Sequence, residues 1–455
     1  MKKKMDINKI LLKISPEFIR GKIGENKGLR KILDNINWLT FENIFKLLIG
    51  LFVYAWIARS LGPEQFGLMN YSLAFVTLFL TFSTLGLDGI VIRNIVSNPK
   101  KKREFLGSAF FLKILGSILM ILFSIIIIYL LEPNNKTLFL FVFIIALGYI
   151  FKSFDVIDLW FKSQVEAKYP VYSRIIALII ITLLKISFIL LKAPLIAFIY
   201  MFSLDFLIVS LLFVYFYYKK TKISLLQWRV RLNTIKDLLK DSWPLILSGM
   251  AIMLYMRIDQ VMIGHMLGQF ELGIYSAAVK LSEAWYFMPI IITSSVFPAI
   301  INARKKSKEL YIKRMQILYD SFTWFTILVA VIVTLLSPFI INILYGQEYA
   351  RASTVLSILI FSGIFTFLGV ASSNYLIAEN LTKISFYITT IGVVINILLN
   401  IMLIPLYGIN GAAVATLISY SFAAYISNLF FKKSRIVFMM QTKSFNIIRI
   451  MRSLL

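Results

Sequence analysis

The chain has 455 residues, 59% of them hydrophobic and only 15% charged, with a mean hydropathy of +0.82 and a formal net charge of +26. That apolar content excludes a water-soluble fold of this length, and the absence of cysteine excludes disulfides and thiolate chemistry. With His265 as its single histidine and no GxxxxGK[ST] sequence, the chain also lacks His/Cys metal sites, a Ser-His-Asp triad and an ATP-binding loop.

The first 37 residues are basic and broken by Lys13, Glu17 and Arg20, so they lack the apolar core of a signal peptide; "INKILLKISPEFIRGKI" reads as a short helix lying on the cytoplasmic membrane surface. Beyond them, apolar segments follow almost without a break. Each is long enough to cross a hydrocarbon core of roughly 30 Å at about 1.5 Å per residue. The pattern predicts twelve spans, at 38–58, 66–87, 106–131, 138–161, 171–191, 194–218, 243–267, 272–301, 317–345, 353–376, 384–406 and 407–431. The expected layout is a basic segment over 1–37, a first lobe over 38–218, a cytoplasmic linker over 219–242, a second lobe over 243–431 and a basic tail over 432–455. Most of the 48 Lys and Arg fall on alternate loops and the tails, while the opposite loops carry only Arg59, Lys136, Lys192 and Arg351. This positive-inside alternation predicts that both termini face the cytoplasm and that the charge reports topology, not nucleic acid.

The stretch "ARSLGPEQFGLMNYSLAF" (58–75) returns as "GHMLGQFELGIYSAAVKL" (264–281). Both carry Leu-Gly, four residues, Gly, and then Tyr-Ser. An even number of spans separates the copies, so the two halves enter the membrane in the same direction, as in parallel-repeat transporters. Gly62 and Gly268 suit helix ends that need a positive φ, and Gly67 and Gly273 suit close helix packing. A looser echo is "LYGINGAAVATLIS" (406–419). The reading is an all-α polytopic membrane protein of two parallel six-helix lobes, which suits a carrier working by alternating access.

Charges inside spans should face the interior or a wet cavity, since a charge facing lipid at a helix centre costs roughly 2.5–3.5 kcal/mol. Spacing suggests pairs Glu42–Lys46, Lys152–Asp155 and Lys280–Glu283 along single helices, and Lys185–Asp205 across two. Arg257, near the middle of span seven, is the first candidate for a substrate contact, because its planar fork matches a phosphate oxygen pair. Asp259, two positions on, points nearly the opposite way. Lys46 and Lys113, in the cytoplasmic halves of their spans, are candidates to admit an anionic headgroup. Lys280 and Glu283 are candidates for a switchable pair or for a proton or cation site, with Asp259, Asp205 and Lys185 as further coupling or gating candidates.

The segment from Asn37 to Val96, with "DLWFKSQVEAKYPVYSR", "YMRIDQVMIGHMLGQFELGIYSAAVKLSEAWYFMP" and "GINGAAVATLIS", resembles the polysaccharide-transporter family, the flippases for lipid-linked sugar repeat units of O-antigens and capsules. The resemblance implies a V-shaped, two-lobed fold shared with multidrug-and-toxin extruders, with spans one and seven facing each other across the cleft. It implies an undecaprenyl-diphosphate-linked oligosaccharide as substrate, carried from the cytoplasmic to the outer leaflet of a bacterial cytoplasmic membrane. It implies no cofactor, a coupling H+ or Na+ at most, and glycosyltransferases and a polymerase as partners. Within "LGLDGIVIR", Asp88 and Arg93 match the family and read as a structural or gating pair. Other readings remain: a cation-coupled drug or metabolite extruder leaning on Asp205 or Glu283, a six-plus-six carrier of the major facilitator type, and a polymerase or ligase on lipid-linked glycans, which the short outward loops disfavour.

Overall fold

A computed structural model describes residues 27–379, 381–447 and 449, so the stretch "INKILLKISPEFIRGKI" lies outside the described residues. The first helix, α1 (Lys27–Leu78), bends at Gly62 (φ 72°, ψ 168°) and folds back on itself. Residues 54 and 70 would stand about 24 Å apart on a straight helix, yet the Tyr54 hydroxyl donates a hydrogen bond to Asn70, and the Tyr54 and Phe66 rings meet edge-on at 4.9 Å. Spans 1 and 2 are therefore the arms of one hairpin, with span 2 continued by α2 (Leu80–Thr84) and α3 (Asp88–Ser97). Span 3 is α4 (Lys102–Leu131); span 4 is α5 (Lys136–Lys152) with α6 (Val156–Ser163); spans 5 and 6 are α7 (Lys168–Leu190) and α8 (Leu195–Thr221).

The second half repeats the order. Span 7 is α9 (Leu232–Met266), span 8 is α10 (Gln269–Glu283) with α11 (Met288–Lys306), span 9 is α12 (Lys308–Tyr345), and span 10 is α13 (Ala352–Leu359) with α14 (Ser362–Ala378). Spans 11 and 12 share α15 (Thr382–Ala424), which reverses at Gly408 (φ 60°); a Cβ on Gly411 would sit 2.1 Å from the Leu403 carbonyl oxygen. Finally α16 (Arg435–Ser444) packs on span 9, where Trp324 donates to the Ser444 carbonyl at 2.9 Å. Ten helical stretches among the described residues are long and apolar enough to cross a membrane, and the two that fold back bring the crossings to the expected twelve.

One end of the bundle gathers the tight turns. Gly62, Gly268 (φ 90°), Gly346 (φ 87°) and Gly408 all sit there in the left-handed region that side chains avoid. The first two meet the expectation from the repeat. The Gly346 turn, in "LYGQEYA", uses the same device without the full echo. The opposite end carries the basic loops.

The hydrophobic core shows how the halves meet. At the tight-turn end a single cluster takes residues from both halves, including Phe66, Tyr71, Ile145, Tyr275, Tyr345 and Leu356. At the basic end the core splits. Leu87, Val156, Phe161 and Phe213 form one cluster in the first half, and Trp285, Tyr319, Phe367 and Leu376 another in the second. The halves are thus fused at the tight-turn end and part toward the basic end. Span 7 bridges them in part, because its helix begins at Leu232 and buries Leu238 in the first half's cluster.

The fusion rests on the repeated glycines. A Cβ on Gly67 would lie 1.7 Å from the Gln269 carbonyl oxygen, and one on Gly273 would lie 1.9 Å from that of Pro63. The two copies pack reciprocally, backbone on backbone. Gly273→Ala therefore forces the turns apart, at about 1–3 kcal/mol of overpacking. Because the chain contains no cysteine, a Ser276→Cys reporter, buried beneath this seal, reads the effect. A membrane-impermeant maleimide added on the tight-turn side should label it several-fold faster in the Gly273→Ala background. An unchanged rate would show that the seal does not depend on glycine.

Candidate substrate-binding site

A cavity of about 380 Å³ lies where spans 1, 2, 5, 6, 7 and 8 converge, beneath the sealed end. Its charged lining comes from Lys185 on span 5, Asp205 on span 6, Arg257 on span 7, and Lys280 and Glu283 on span 8. A second chamber of about 250 Å³ between spans 1 and 8 shares Gly50, Lys280 and Glu283 with the first and adds Lys46. Four cations thus face two carboxylates across the joined chambers.

Arg257 holds Glu283 in a two-bond fork, Nη1 to Oε1 at 3.1 Å and Nη2 to Oε2 at 2.9 Å. The expected Lys280–Glu283 pair is therefore absent: both carboxylate oxygens are taken by span 7. Lys280 instead reaches over the Tyr54 ring, its ammonium 4.9 Å from the centroid. Lys185 does likewise on Phe202 at 5.2 Å. Lys185 and Asp205 line the same cavity but make no ion pair within 4 Å among the described residues, so that expected pairing is not formed either. Lys152 also departs from its expected partner Asp155, lying over the Tyr149 and Phe206 rings.

Asp259 lies outside the cavity. Residues two apart on a helix point about 200° apart, so with Arg257 in the cleft Asp259 turns into the second half. There, 6% exposed, it accepts hydrogen bonds from the Tyr275 hydroxyl at 2.5 Å, the Gln260 N–H at 2.7 Å and the Thr416 hydroxyl at 3.4 Å. It fastens spans 7, 8 and 12 and does not face the cavity.

Lys46 does pair with Glu42, at 2.6 Å. Glu42 is also gripped by Arg174 through two bonds of 2.5 and 2.9 Å, so its charge stays balanced if Lys46 leaves. Lys113, in contrast, lines neither chamber. It is 3% exposed and bonds Asp88 at 2.7 Å in the first half. That contact exists because span 2 breaks at Leu85 (φ 50°) and Gly86 (φ 62°), which swings Asp88 onto span 3. The expected Asp88–Arg93 pair does not form, since residues five apart on a helix do not share a face. Arg93 bonds Asp241 on span 7 instead.

That Arg93–Asp241 contact, with Gly86 packed so tightly that a Cβ would meet the Leu245 side chain at 2.6 Å, shuts the side of the cleft between spans 2 and 7. On the other side, the basic half of span 8 packs chiefly on spans 9 and 10. The cavity's route outward is through the chamber between spans 1 and 8. Tyr54, Asn70, Gln260, Ser276 and Phe202, which complete its wall, carry no sequence signal that separates them from other residues inside spans.

The Arg257–Glu283 pair is shielded on most sides, with side chains 24% and 21% exposed, so removing one partner strands the other's charge. Arg257→Gln and Glu283→Gln should each lower the melting temperature of the purified protein. The double variant should recover most of that loss, giving a coupling of about 1–3 kcal/mol in the double-mutant cycle. Additive losses would mean that the two groups do not act as a pair.

The chain matches the family model described as polysaccharide biosynthesis protein over residues 32–304, and the MatE model over residues 244–402. It is 23% identical over 414 residues to the capsular polysaccharide biosynthesis protein CapF of Staphylococcus aureus, covering 88% of this chain and 99% of that one. It is 26% identical over 387 residues to the probable low-salt glycan biosynthesis flippase Agl15 of Haloferax volcanii, covering 84% and 80%. Among solved structures it resembles the lipid II flippase MurJ in an inward closed conformation, with a TM-score of 0.68 at 20% identity over 89% of this chain and 90% of that one. That likeness shows a shared fold, and the chain belongs to the polysaccharide biosynthesis protein family.

Proposed function

We propose that the chain is a flippase that carries undecaprenyl-diphosphate-linked oligosaccharide repeat units from the cytoplasmic to the outer leaflet by alternating access, for O-antigen, capsule or a related surface polysaccharide. The observation that carries this reading is the joined cavity: richer in cations than carboxylates, sealed at the tight-turn end, and open sideways between spans 1 and 8. A diphosphate demands cations, a polyprenyl chain demands a lateral exit to lipid, and net movement demands one sealed side. The exposed stripe Phe41, Ile44, Leu48 and Phe52 on span 1 gives the tail an apolar track beside the chamber.

The basic end faces the cytoplasm in this reading, with both termini on that side of a bacterial inner membrane, as the Lys and Arg bias of the loops supports. The headgroup meets Lys46 and Lys280 first. Its phosphates then take the guanidinium of Arg257 from Glu283, and the released carboxylate turns to Lys280, three residues earlier on the same helix face. Each exchange leaves every charge with a partner. The lobes over 38–218 and 243–431 then rock, closing the basic end and parting the glycine seal. Glycosyltransferases that supply the substrate and a polymerase that consumes it are the partners this activity requires.

Asp205 favours a second reading. It lines the cavity without a hydrogen bond or ion pair among the described residues, which suits a coupling H+ or Na+, or a cationic cargo in a drug extruder. Neutralising it separates the possibilities: Asp205→Asn abolishes efflux of cations, whereas a flippase with this residue in a coupling role slows without changing cargo.

The decisive test uses the parent cell with this gene deleted and the upstream sugar pathway intact. Undecaprenyl-linked glycans should accumulate on the cytoplasmic leaflet, be released by the wild-type gene, and remain trapped with Arg257→Ala or Lys280→Ala. A normal leaflet distribution in a deletion strain without a second flippase would overturn the proposal.

A further inference from the structure

The two halves repeat in fold but not in the chemistry of their inner walls. In the first half, span 5 brings Lys185 to the cavity and span 6 brings Asp205. In the second half, the corresponding spans wall a separate pocket of about 300 Å³ together with spans 7, 8 and 10, and none of its described lining residues is charged. Span 11, standing where span 5 stands in the first half, contributes Ser385 and Thr389 instead of a lysine.

The pocket combines aromatic faces with free hydroxyls. Tyr255 and Tyr420 stack with centroids 4.3 Å apart and planes 17° from parallel, and Phe365 adds a further ring. The side-chain hydroxyls of Tyr255, Tyr420, Ser373 and Ser385 have no hydrogen-bond partner among the described residues. On the same wall Asn428 is 1% exposed, and its carbonyl oxygen has no partner either. The rings are held in place by close packing: a Cβ on Gly392 would meet Tyr255 at 2.9 Å. An unpartnered buried amide oxygen beside unpartnered hydroxyls costs free energy unless something in the pocket bonds to them.

The pocket and the cationic cavity share spans 7 and 8 but no lining residue. Tyr255 stands one turn before Asp259 on the second-half face of span 7, and Tyr286 follows Glu283 by three residues on span 8. The cavity and the pocket thus stand on two sides of the same pair of spans, with Tyr286 of the pocket about one turn from Glu283 of the cavity.

We propose that the second-half pocket is the sugar subsite, taking uncharged pyranose residues of the lipid-linked glycan while the cavity at Arg257 holds the diphosphate. The inference rests on the flippase reading and assigns the division of labour within it. Pyranose rings present C–H faces that stack on aromatic rings and a rim of hydroxyls that bond to hydroxyls and amides, which is the inventory found here. An ionised uronate would enter a pocket without a counter-charge and is disfavoured by its desolvation. Specificity for the glycan resides in the second half, and affinity for the carrier lipid in the cationic cavity.

The test uses the full chain in lipid nanodiscs and three probes: undecaprenyl diphosphate, the same lipid bearing a neutral hexose disaccharide, and the same lipid bearing a glucuronic-acid disaccharide. The wild type should bind the neutral glycolipid about tenfold more tightly than the bare lipid, with the glucuronyl lipid gaining nothing over the bare one. Ser385→Ala and Tyr255→Phe, which each remove an unpartnered hydroxyl, should together erase the neutral-sugar advantage and leave bare-lipid affinity unchanged. Arg257→Gln should weaken all three probes alike. Equal weakening of bare and glycosylated lipid by the pocket variants would place the tail in this pocket and overturn the proposal, as would no effect on either, with folding checked by an unchanged melting temperature. If the wild type binds none of the probes, the flippase reading itself fails and the subsite with it.

Discussion

The structure depends on a contact that only glycine permits. Where the two copies of the repeat meet, each presents a backbone carbonyl to the space that the other's side chain would fill, at Gly67 and at Gly273. Because the contact is reciprocal, neither half can close onto the other with a larger residue at its position. The shared core, the floor of the cavity and the parting of the halves toward the basic end all follow from holding two hairpins together at this one place. One surrounding polar contact is buried, the Tyr349 hydroxyl donating to the Ala58 carbonyl at 2.8 Å; the others are partly exposed, Arg59 to the Asn342 carbonyl, Arg351 to Glu271 and His265 to Glu132. Exposed contacts of that kind contribute roughly 0–1 kcal/mol each. A seal made chiefly of shape, with one buried hydrogen bond across it, is one that can open more readily than a seal made of an extended buried polar network.

The carboxylates of the cavity answer a difficulty that every anion carrier faces. Lys46, Lys185, Arg257 and Lys280 gathered in a low-dielectric cleft repel one another when no cargo is present. Glu283 gives Arg257 a partner in the empty state, Glu42 does the same for Lys46, and the Tyr54 and Phe202 rings offer Lys280 and Lys185 their negative faces. The arrangement lets the carrier return empty, because every cation has somewhere to rest.

The sequence made the architecture legible and the pairings only in part. Span count and the repeat follow from hydropathy and from two copies of one turn, and Gly62 and Gly268 adopt the positive φ their positions suggest. The Gly346 turn was harder to see because it keeps Leu-Tyr-Gly and a helix start but drops the second glycine and the Tyr-Ser. Helix geometry alone separated Arg257 from Asp259. It misdirected Lys280, because i,i+3 spacing advertises a pairing with Glu283 that a stronger partner on another helix takes over. Lys113 and Asp88 went astray for a similar reason: the break at Leu85 and Gly86, which rotates Asp88 onto span 3, has a left-handed leucine that no propensity announces. Partners distant in sequence are fixed by tertiary packing, and the i,i+4 pair Glu42–Lys46 formed because it needs none.

Duplication explains the scaffold, but the divergence of the halves is what suits a symmetric scaffold to the amphiphilic, bipartite cargo proposed for it. Two equally charged lobes would bind two anions, and two aromatic lobes would bind two apolar bodies. Here the first half supplies Lys46, Lys185 and Asp205, the second supplies the uncharged Tyr255, Tyr420 and Thr389, and Arg257 with Glu283 stands at the boundary. A ligand with a charged link and a neutral polar body engages both lobes at once, whereas either fragment alone engages one. Since rocking requires the two lobes to move as a pair, a cargo that touches both couples its own binding to that motion, and a fragment that touches only one does not. In the proposed flippase, selectivity for the complete lipid-linked unit comes from the requirement to bridge, without either lobe needing high affinity of its own.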